Sequence, residues 1–228
     1  MTSRKKDLLL GGGLLFGFAA ILILMFSPLF NGLNSLNLMD NLYNSISKGS
    51  VYYIPRLLKE NAAYQSTLID VSINANHEKQ AKEIAGQIMV AGAKASVEGT
   101  TVKISGSLGD ILTSSLEDAD EMFANKDEKA RVKYGYSGKL ALYNWWVALK
   151  SIDKELAKQK HFKDAKFVSV VQLKAVECAY NYYKIEPQDI SDKIVFVILS
   201  LVFYVIYTIW FGFGILYTFM GLGFRLEH

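Results

Sequence analysis

The residues able to do chemistry are few and scattered. Apart from the terminal His228, the histidines are His77 and His161, far apart in the chain. His77, between Asn76 and Glu78, falls where a helix is expected to begin, which suits a solvated capping-region side chain better than a metal ligand. Cys178 is the only cysteine, which excludes a disulfide framework. Its apolar helical surroundings favour a small buried hydrophobe over a nucleophile. No HExxH, CxxC, GxSxG, Walker loop or dinucleotide fingerprint occurs. Glu117, Asp118, Asp120 and Glu121 form an acidic cluster, but it lacks the loop spacing and turn glycine of an EF-hand. Helical geometry also sends the four carboxylates in different directions, so the cluster reads as a solvated face. Lys150, Lys154, Lys158, Lys160, Lys163 and Lys166 read the same way. Their functional alternatives are pairing with the acidic cluster, with anionic headgroups, or with an acidic partner subunit. The inventory predicts a chain that is not an enzyme and carries no cofactor or metal.

Aromatic residues say more. Trp145 and Trp146 are adjacent on a predicted helix, where neighbours point about 100° apart. Either both pack in the core, or one enters it while the other meets the next helix, a partner or lipid. With Lys150, Lys154 and Lys158 they form the candidate interaction set. Tyr52, Tyr53, Tyr180, Tyr182 and Tyr183 are amphipathic rings suited to the headgroup level of a bilayer.

The elements that must position these residues begin with two uncharged runs, Leu8–Met39 and Ile194–Phe224. A helix needs about 20 apolar residues to cross the hydrocarbon layer. Both runs suffice, and the first is longer than a signal-peptide core and lacks an A-x-A site. Glycines at Gly13 and Gly17, in small-xxx-small spacing, and at Gly212 and Gly214 predict close helix–helix packing with another membrane protein. Arg4, Lys5 and Lys6 precede the first span and Arg225 follows the second. Asp40, Asp189 and Asp192 lie on the other side, with Lys193 as the exception. The positive-inside rule then puts both termini in the cytoplasm. Leu226-Glu227-His228 reads as the start of an expression tag. The expected division is a cytoplasmic tail over 1–7, a first span over 8–29, an external domain over 30–192, a second span over 193–220 and a cytoplasmic tail over 221–228.

Of 25 Lys and Arg, five lie outside residues 40–192, and of 22 Asp and Glu, two do. That stretch is therefore formally neutral, and the net charge of +3 marks the ends. A neutral domain gives no reason to expect nucleic acid. A composition of 51% hydrophobic and 21% charged residues also excludes disorder and collagen-like sequence.

Within the domain, Asn34–Ser47 has a helical apolar face and Pro55 opens a second short helix. Ile69, Val71 and Ile73 alternate with Asp70, Ser72 and Asn74, the period of a half-buried strand. Asn76 is the expected cap of a helix burying Ala81, Ile84, Ala85, Ile88 and Met89, with Gly92 at its end. Ala95, Val97, Val102 and Ile104 flank Glu98-Gly99-Thr100 as a hairpin. Ser107 caps an amphipathic helix running to Phe123, Lys126–Lys133 reads as a charged connector, and Ser137 caps a long helix over Gly138–Lys158. Another helix follows from about Asp164 to Lys184, antiparallel to it. The fold class is α+β: two terminal transmembrane helices flank an extracytoplasmic α/β sandwich, a ferredoxin-like β-α-β-β-α core, with a long antiparallel helix pair.

The pattern predicts a non-catalytic two-span protein, an assembly, scaffold or accessory subunit of a cell-envelope complex. Its expected partners are integral membrane or envelope proteins, the lipid bilayer, and a second copy of itself. A sensory receptor ectodomain and a polysaccharide co-polymerase-like oligomer share the two-anchor layout and stay as alternatives. The expected setting is a bacterial inner membrane with the domain in the periplasm.

Overall fold

The computed structural model describes residues 3–224; the expectations on Arg225 and on Leu226-Glu227-His228 lie outside them. The chain is a mixture of many helices and one small antiparallel sheet. It divides into two compact units, one up to Gly49 together with the stretch from Pro187 onward, the other Ser50–Glu186.

The first unit is built on α1 (Ser3–Phe26) and α10 (Ile190–Leu222). Their stretches Arg4–Phe26 and Ile190–Leu222 are long and apolar enough to cross a membrane. The two pack antiparallel: Leu8 meets Gly221, Leu15 meets Gly214, and Gly17 meets Trp210. After α1, Asn31 and Gly32 both take positive φ between the paired residues Phe30 and Leu33, the two-residue turn that an Asn-Gly pair favours. α2 (Ser35–Ser50) follows, with Asn34 Oδ1 accepting from the Asn37 amide at 2.8 Å. The Ser35 hydroxyl donates to the Met25 carbonyl at 2.9 Å, and Tyr43 Oη lies 2.6 Å from Ser200 Oγ. α2, which the sequence pattern includes in 30–192, thus belongs to the unit of the two long helices.

The second unit opens with α3 (Ile54–Asn61), which carries Pro55 in its first turn, and a 3-10 turn, Ala62–Tyr64. β1 (Leu68–Asn74), β2 (Lys94–Glu98) and β3 (Thr101–Ser107) form a sheet of order β1-β3-β2 with both pairs antiparallel. Val71 pairs with Ile104, which pairs on its other side with Ala95. Ile69, Val71, Ile73, Val102 and Ile104 are buried on one face, while Asp70, Ser72 and Lys103 are exposed on the other. One-sided burial is what the alternation demands, and each such side chain contributes roughly 1.5–3 kcal/mol. Gly99, at φ +61, is the first of the two hairpin turn residues, where an L side chain is strained.

α4 (Glu78–Val90) lies between β1 and β2 in sequence and packs against the sheet. Its cap is His77, whose Nδ1 accepts from the Gln80 amide at 3.1 Å. The expected cap, Asn76, instead holds the Gln80 side chain through its own Nδ2 and backbone amide. Met89 is exposed rather than buried, because it sits in the last turn on the flank of the apolar stripe.

α5 (Leu108–Phe123) is capped by Ser107, and α7 (Gly138–Lys158) by Ser137, as the spacing predicts. The supposed charged connector between them contains a helix, α6 (Glu128–Tyr134), ended by Gly135 at φ +79. α7 buries Leu142, Trp145, Leu149, Ile152 and Leu156 completely or nearly so. The last arm is α8 (Phe162–Val171), a π-helical stretch Gln172–Glu177 and α9 (Cys178–Tyr182). It runs antiparallel to α7: Lys139 reaches Tyr180 near the end of the arm, and Trp146 reaches Glu177 before it.

Candidate functional site

Three places gather the chemistry, one in the first unit and two in the second. In the first unit the glycines act by what they admit. A Cβ at Gly221 would lie 2.6 Å from the Leu8 backbone nitrogen, and one at Gly11 2.5 Å from Thr218. A Cβ at Gly17 would touch the Trp210 ring at 2.9 Å, and one at Gly214 the Leu15 side chain at 2.8 Å. These four positions let the helices close on each other within the chain. Gly13 and Gly212 do not take part: a Cβ at either has nothing within 4 Å, and the same holds for Gly12. Trp210 Nε1 donates to the Leu14 carbonyl at 2.9 Å, and Tyr207 Oη to the Phe18 carbonyl at 2.9 Å. Phe18 and Tyr207 stack with centroids 4.2 Å apart. Beside these contacts, an apolar cavity of about 690 Å³ is lined by α1, α2 and α10, with Ser35, Ser200 and three tyrosines, Tyr43, Tyr204 and Tyr207, as its hydroxyl-bearing members.

The second place corrects the acidic cluster. Asp118 is buried at 7% exposure, not solvated. Its Oδ2 accepts from Trp145 Nε1 at 2.7 Å and from Tyr134 Oη at 2.6 Å, and its Oδ1 from Lys133 Nζ at 2.9 Å. Lys133 also donates to Ser114 Oγ at 3.1 Å. A buried carboxylate is tolerated because three donors, one of them cationic, replace its water. Burial and the Asp118 charge push the Tyr134 phenol well above its usual range, and burial raises Tyr136 to about 12. Asp120 accepts from Tyr52 Oη at 2.5 Å, and Glu121 pairs with Lys129. Two of the four acids, Asp118 and Glu121, thus pair with lysines of α6, and among the described residues no ion pair joins the cluster to the lysine row.

The third place is a groove of about 320 Å³ beside α7, lined by Tyr143, Trp146, Glu177, Tyr180 and Asn181. The adjacent tryptophans part ways as helical geometry allows: Trp145 enters the core, and Trp146 faces this groove and the second helical arm. Trp146 Nε1 donates to Glu177 Oε2 at 2.8 Å, and its ring stacks on Tyr143 at an interplanar angle of 10°. Lys150 Nζ sits 4.3 Å from the Trp146 ring centroid. Lys158 pairs with Glu155 at 2.6 Å, and Lys154 is exposed. The partners of Asp118 and Trp146 lie 15 to 31 residues away in sequence, so no local spacing announces them. The recurrence of Tyr143 with Trp146, and of Glu177 with Tyr180, at i and i+3 is the signal that was there to find.

The remaining reactive residues are engaged structurally. Burial raises the Cys178 thiol above its usual value, which suppresses the thiolate, and its Sγ contacts the Leu173 carbonyl at 3.5 Å. His161 Nδ1 lies 3.5 Å from Asp164. No group of three or more His, Cys, Asp and Glu able to hold a metal occurs among the described residues. Compared with known proteins, the chain matches no family model, no curated sequence and no solved structure.

Proposed function

We propose that this chain is a two-span membrane protein that serves as a non-catalytic accessory, assembly or scaffold subunit of a cell-envelope complex. Its setting in this reading is a bacterial inner membrane, with both termini cytoplasmic and Ser50–Glu186 in the periplasm. Arg4, Lys5 and Lys6 before the first span support the orientation. The β-α-β-β-α run with strand order β1-β3-β2 supports reading the outer unit as an open-faced, ferredoxin-like sandwich.

The observation that carries the reading is the division of labour among the glycines. Gly11, Gly17, Gly214 and Gly221 seat the two long helices on each other, whereas Gly12, Gly13 and Gly212 are exposed with open space before them. Glycine weakens a helix relative to alanine and is used in spans where backbones approach. Glycines not needed by the pair offer another helix a close approach.

The test is co-purification from native membranes in mild detergent, with mass spectrometry of what accompanies the chain. Gly13→Leu and Gly212→Leu should release the accompanying protein while leaving the chain itself folded. A stable monomer that brings down no specific protein overturns the reading. A ring built of this chain alone points instead to the co-polymerase-like alternative.

A further inference from the structure

The geometry points to an organic-cation site in the groove between α7 and the π-helical arm, where Tyr143, Trp146, Tyr180 and Glu177 hold a small quaternary ammonium ligand. The inference is independent of the membrane-partner reading, because every residue it uses lies within Ser50–Glu186.

The first support is the placement of the rings. Tyr143 and Trp146 lie parallel with centroids 6.4 Å apart, and Tyr180 lines the same groove. Trp146 is fixed by its bond to Glu177, and Tyr143 by the Asn76 amide, which donates to its hydroxyl at 3.3 Å. The electron-rich faces of such rings attract cations. They already do so here: Lys150 lies over Trp146, and Lys139 lies 4.8 Å from the Tyr180 centroid.

The second support is charge. Glu177 is half-buried and uses one carboxylate oxygen on the indole. Among the described residues it pairs with no lysine or arginine, so its charge is left for a ligand. Glu177 is the only charged residue that lines the groove, and a carboxylate among aromatic rings favours a cation over an anion even with Lys150 and Lys139 on the Trp146 and Tyr180 rings. A primary ammonium brings three N–H donors, which need acceptors such as the second Glu177 oxygen and the Asn181 carbonyl. A trimethylammonium group brings none and is covered by ring faces.

The third support is how Glu177 is placed. It closes the π-helical stretch Gln172–Glu177, a wider turn that is rare and is frequent at functional sites. The groove volume of about 320 Å³ falls at the lower end of small-molecule pockets, roughly 300–1,000 Å³. That suits a ligand of choline size. The source assigned is a free small molecule.

The test uses the full chain in a maltoside detergent that carries no choline group. Choline is titrated against 3,3-dimethylbutan-1-ol, its uncharged isostere, with calorimetry and tryptophan emission as readouts. Saturable choline binding with a Kd of about 0.1–10 mM is expected, with at least about tenfold weaker binding of the isostere. Glu177→Gln keeps an acceptor for the Trp146 N–H, so it preserves the fold while weakening choline binding about tenfold or more. Tyr143→Leu, at an exposed position, should weaken it as well. Equal binding of choline and the isostere, no saturable binding, or unchanged affinity in Glu177→Gln overturns the site. A short-chain phosphatidylcholine, added below its micelle concentration, that binds more than about tenfold tighter than choline overturns the free-ligand source in favour of a lipid headgroup.

Discussion

The chain has three indoles, and its two units satisfy them differently. Trp210, in the helix pair, donates to a backbone carbonyl, that of Leu14. Trp145 and Trp146, in the Ser50–Glu186 unit, donate to carboxylates, Asp118 and Glu177. The helix pair is apolar enough to cross a membrane, and a neutral carbonyl there supplies an acceptor without adding a charge. In the Ser50–Glu186 unit the buried Asp118 carboxylate is tolerated because Lys133, Tyr134 and Trp145 all donate to it. The consequence is a difference in connectivity. The carbonyl serves one indole, whereas Asp118 ties α5, α6 and α7 together at a single point. Damage should therefore stay local in the helix pair and spread in the Ser50–Glu186 unit.

The strongest way to break that comparison is Asp118→Ala. It leaves the Trp145 N–H, the Tyr134 hydroxyl and the Lys133 ammonium without their shared acceptor, and should destabilise the Ser50–Glu186 unit by about 3–5 kcal/mol. Asp118→Asn keeps an acceptor for one donor and should cost less. Denaturant unfolding of the full chain in detergent, followed by near-ultraviolet circular dichroism, measures both. Combining Asp118→Ala with Lys133→Met should cost less than the two separate effects together, since each removes the same ion pair. Strict additivity would show that the node is not a unit.

Next in size are the glycines of the helix pair. Gly17→Leu drives a side chain into Trp210, and Gly221→Leu drives one into the Leu8 backbone, so each should cost about 1–3 kcal/mol by overpacking. Gly13→Leu should leave the stability of the purified chain within about 0.5 kcal/mol, as a surface change does. Thermal unfolding midpoints in one detergent distinguish them. An equal loss for Gly13→Leu and Gly17→Leu would mean that the pair packs on a different face.

Much of this arrangement was legible from local pattern, and the failures share one cause. The period-two alternation of Ile69, Val71 and Ile73 and the caps Ser107 and Ser137 depend on residues within a few positions of each other, and they were found in place. Asp118 reads as solvated from its local context, four acids within five residues, yet it is buried. Its burial is decided by Trp145, 27 residues on, and by a helix that looked like a linker. The π-helical turn has no composition of its own; it follows from how the arm packs against α7. The Gly13–Gly17 spacing predicts close packing against another helix, and of the two only Gly17 meets one within the chain. Which glycine meets the neighbour depends instead on the rotation of α10 and on the reach of Trp210. His77 displaced Asn76 as the cap by one residue, which is the scale at which helix starts are ambiguous.

A smaller effect separates the indoles themselves. Trp210→Phe removes one cross-helix hydrogen bond and should cost about 0.6–1.7 kcal/mol. Trp146→Phe at the half-exposed groove should cost about 1 kcal/mol or less, because water can reach the freed Glu177 oxygen. Trp145→Phe must exceed both, since it strips a donor from a buried carboxylate. Any other ranking, read from unfolding midpoints of the three variants, would sink the idea that connectivity and not residue type sets the loss.

The smallest expected effect lies at alkaline pH, at Tyr52 of the Ser50–Glu186 unit. Tyr52 donates to Asp120, and this bond, with burial and the Asp120 charge, raises the phenol from 10.0 to about 12. A raised pKa in the folded state means that the proton is held more tightly when folded than when unfolded. The contribution is thus intact below pH 10, where both states are protonated, and it is lost as pH rises from about 10 to about 12. Tyr52 is 44% exposed, so solvent screening keeps the effect small. Tyr52→Phe should therefore lower stability slightly at neutral pH and make the alkaline decline between pH 10 and 12 shallower than in the parent chain. The decline should not vanish, because Tyr136, raised to about 12 by burial, titrates over the same window. A parallel pair of stability curves across that window would show that the Tyr52–Asp120 bond contributes nothing to the fold in solution.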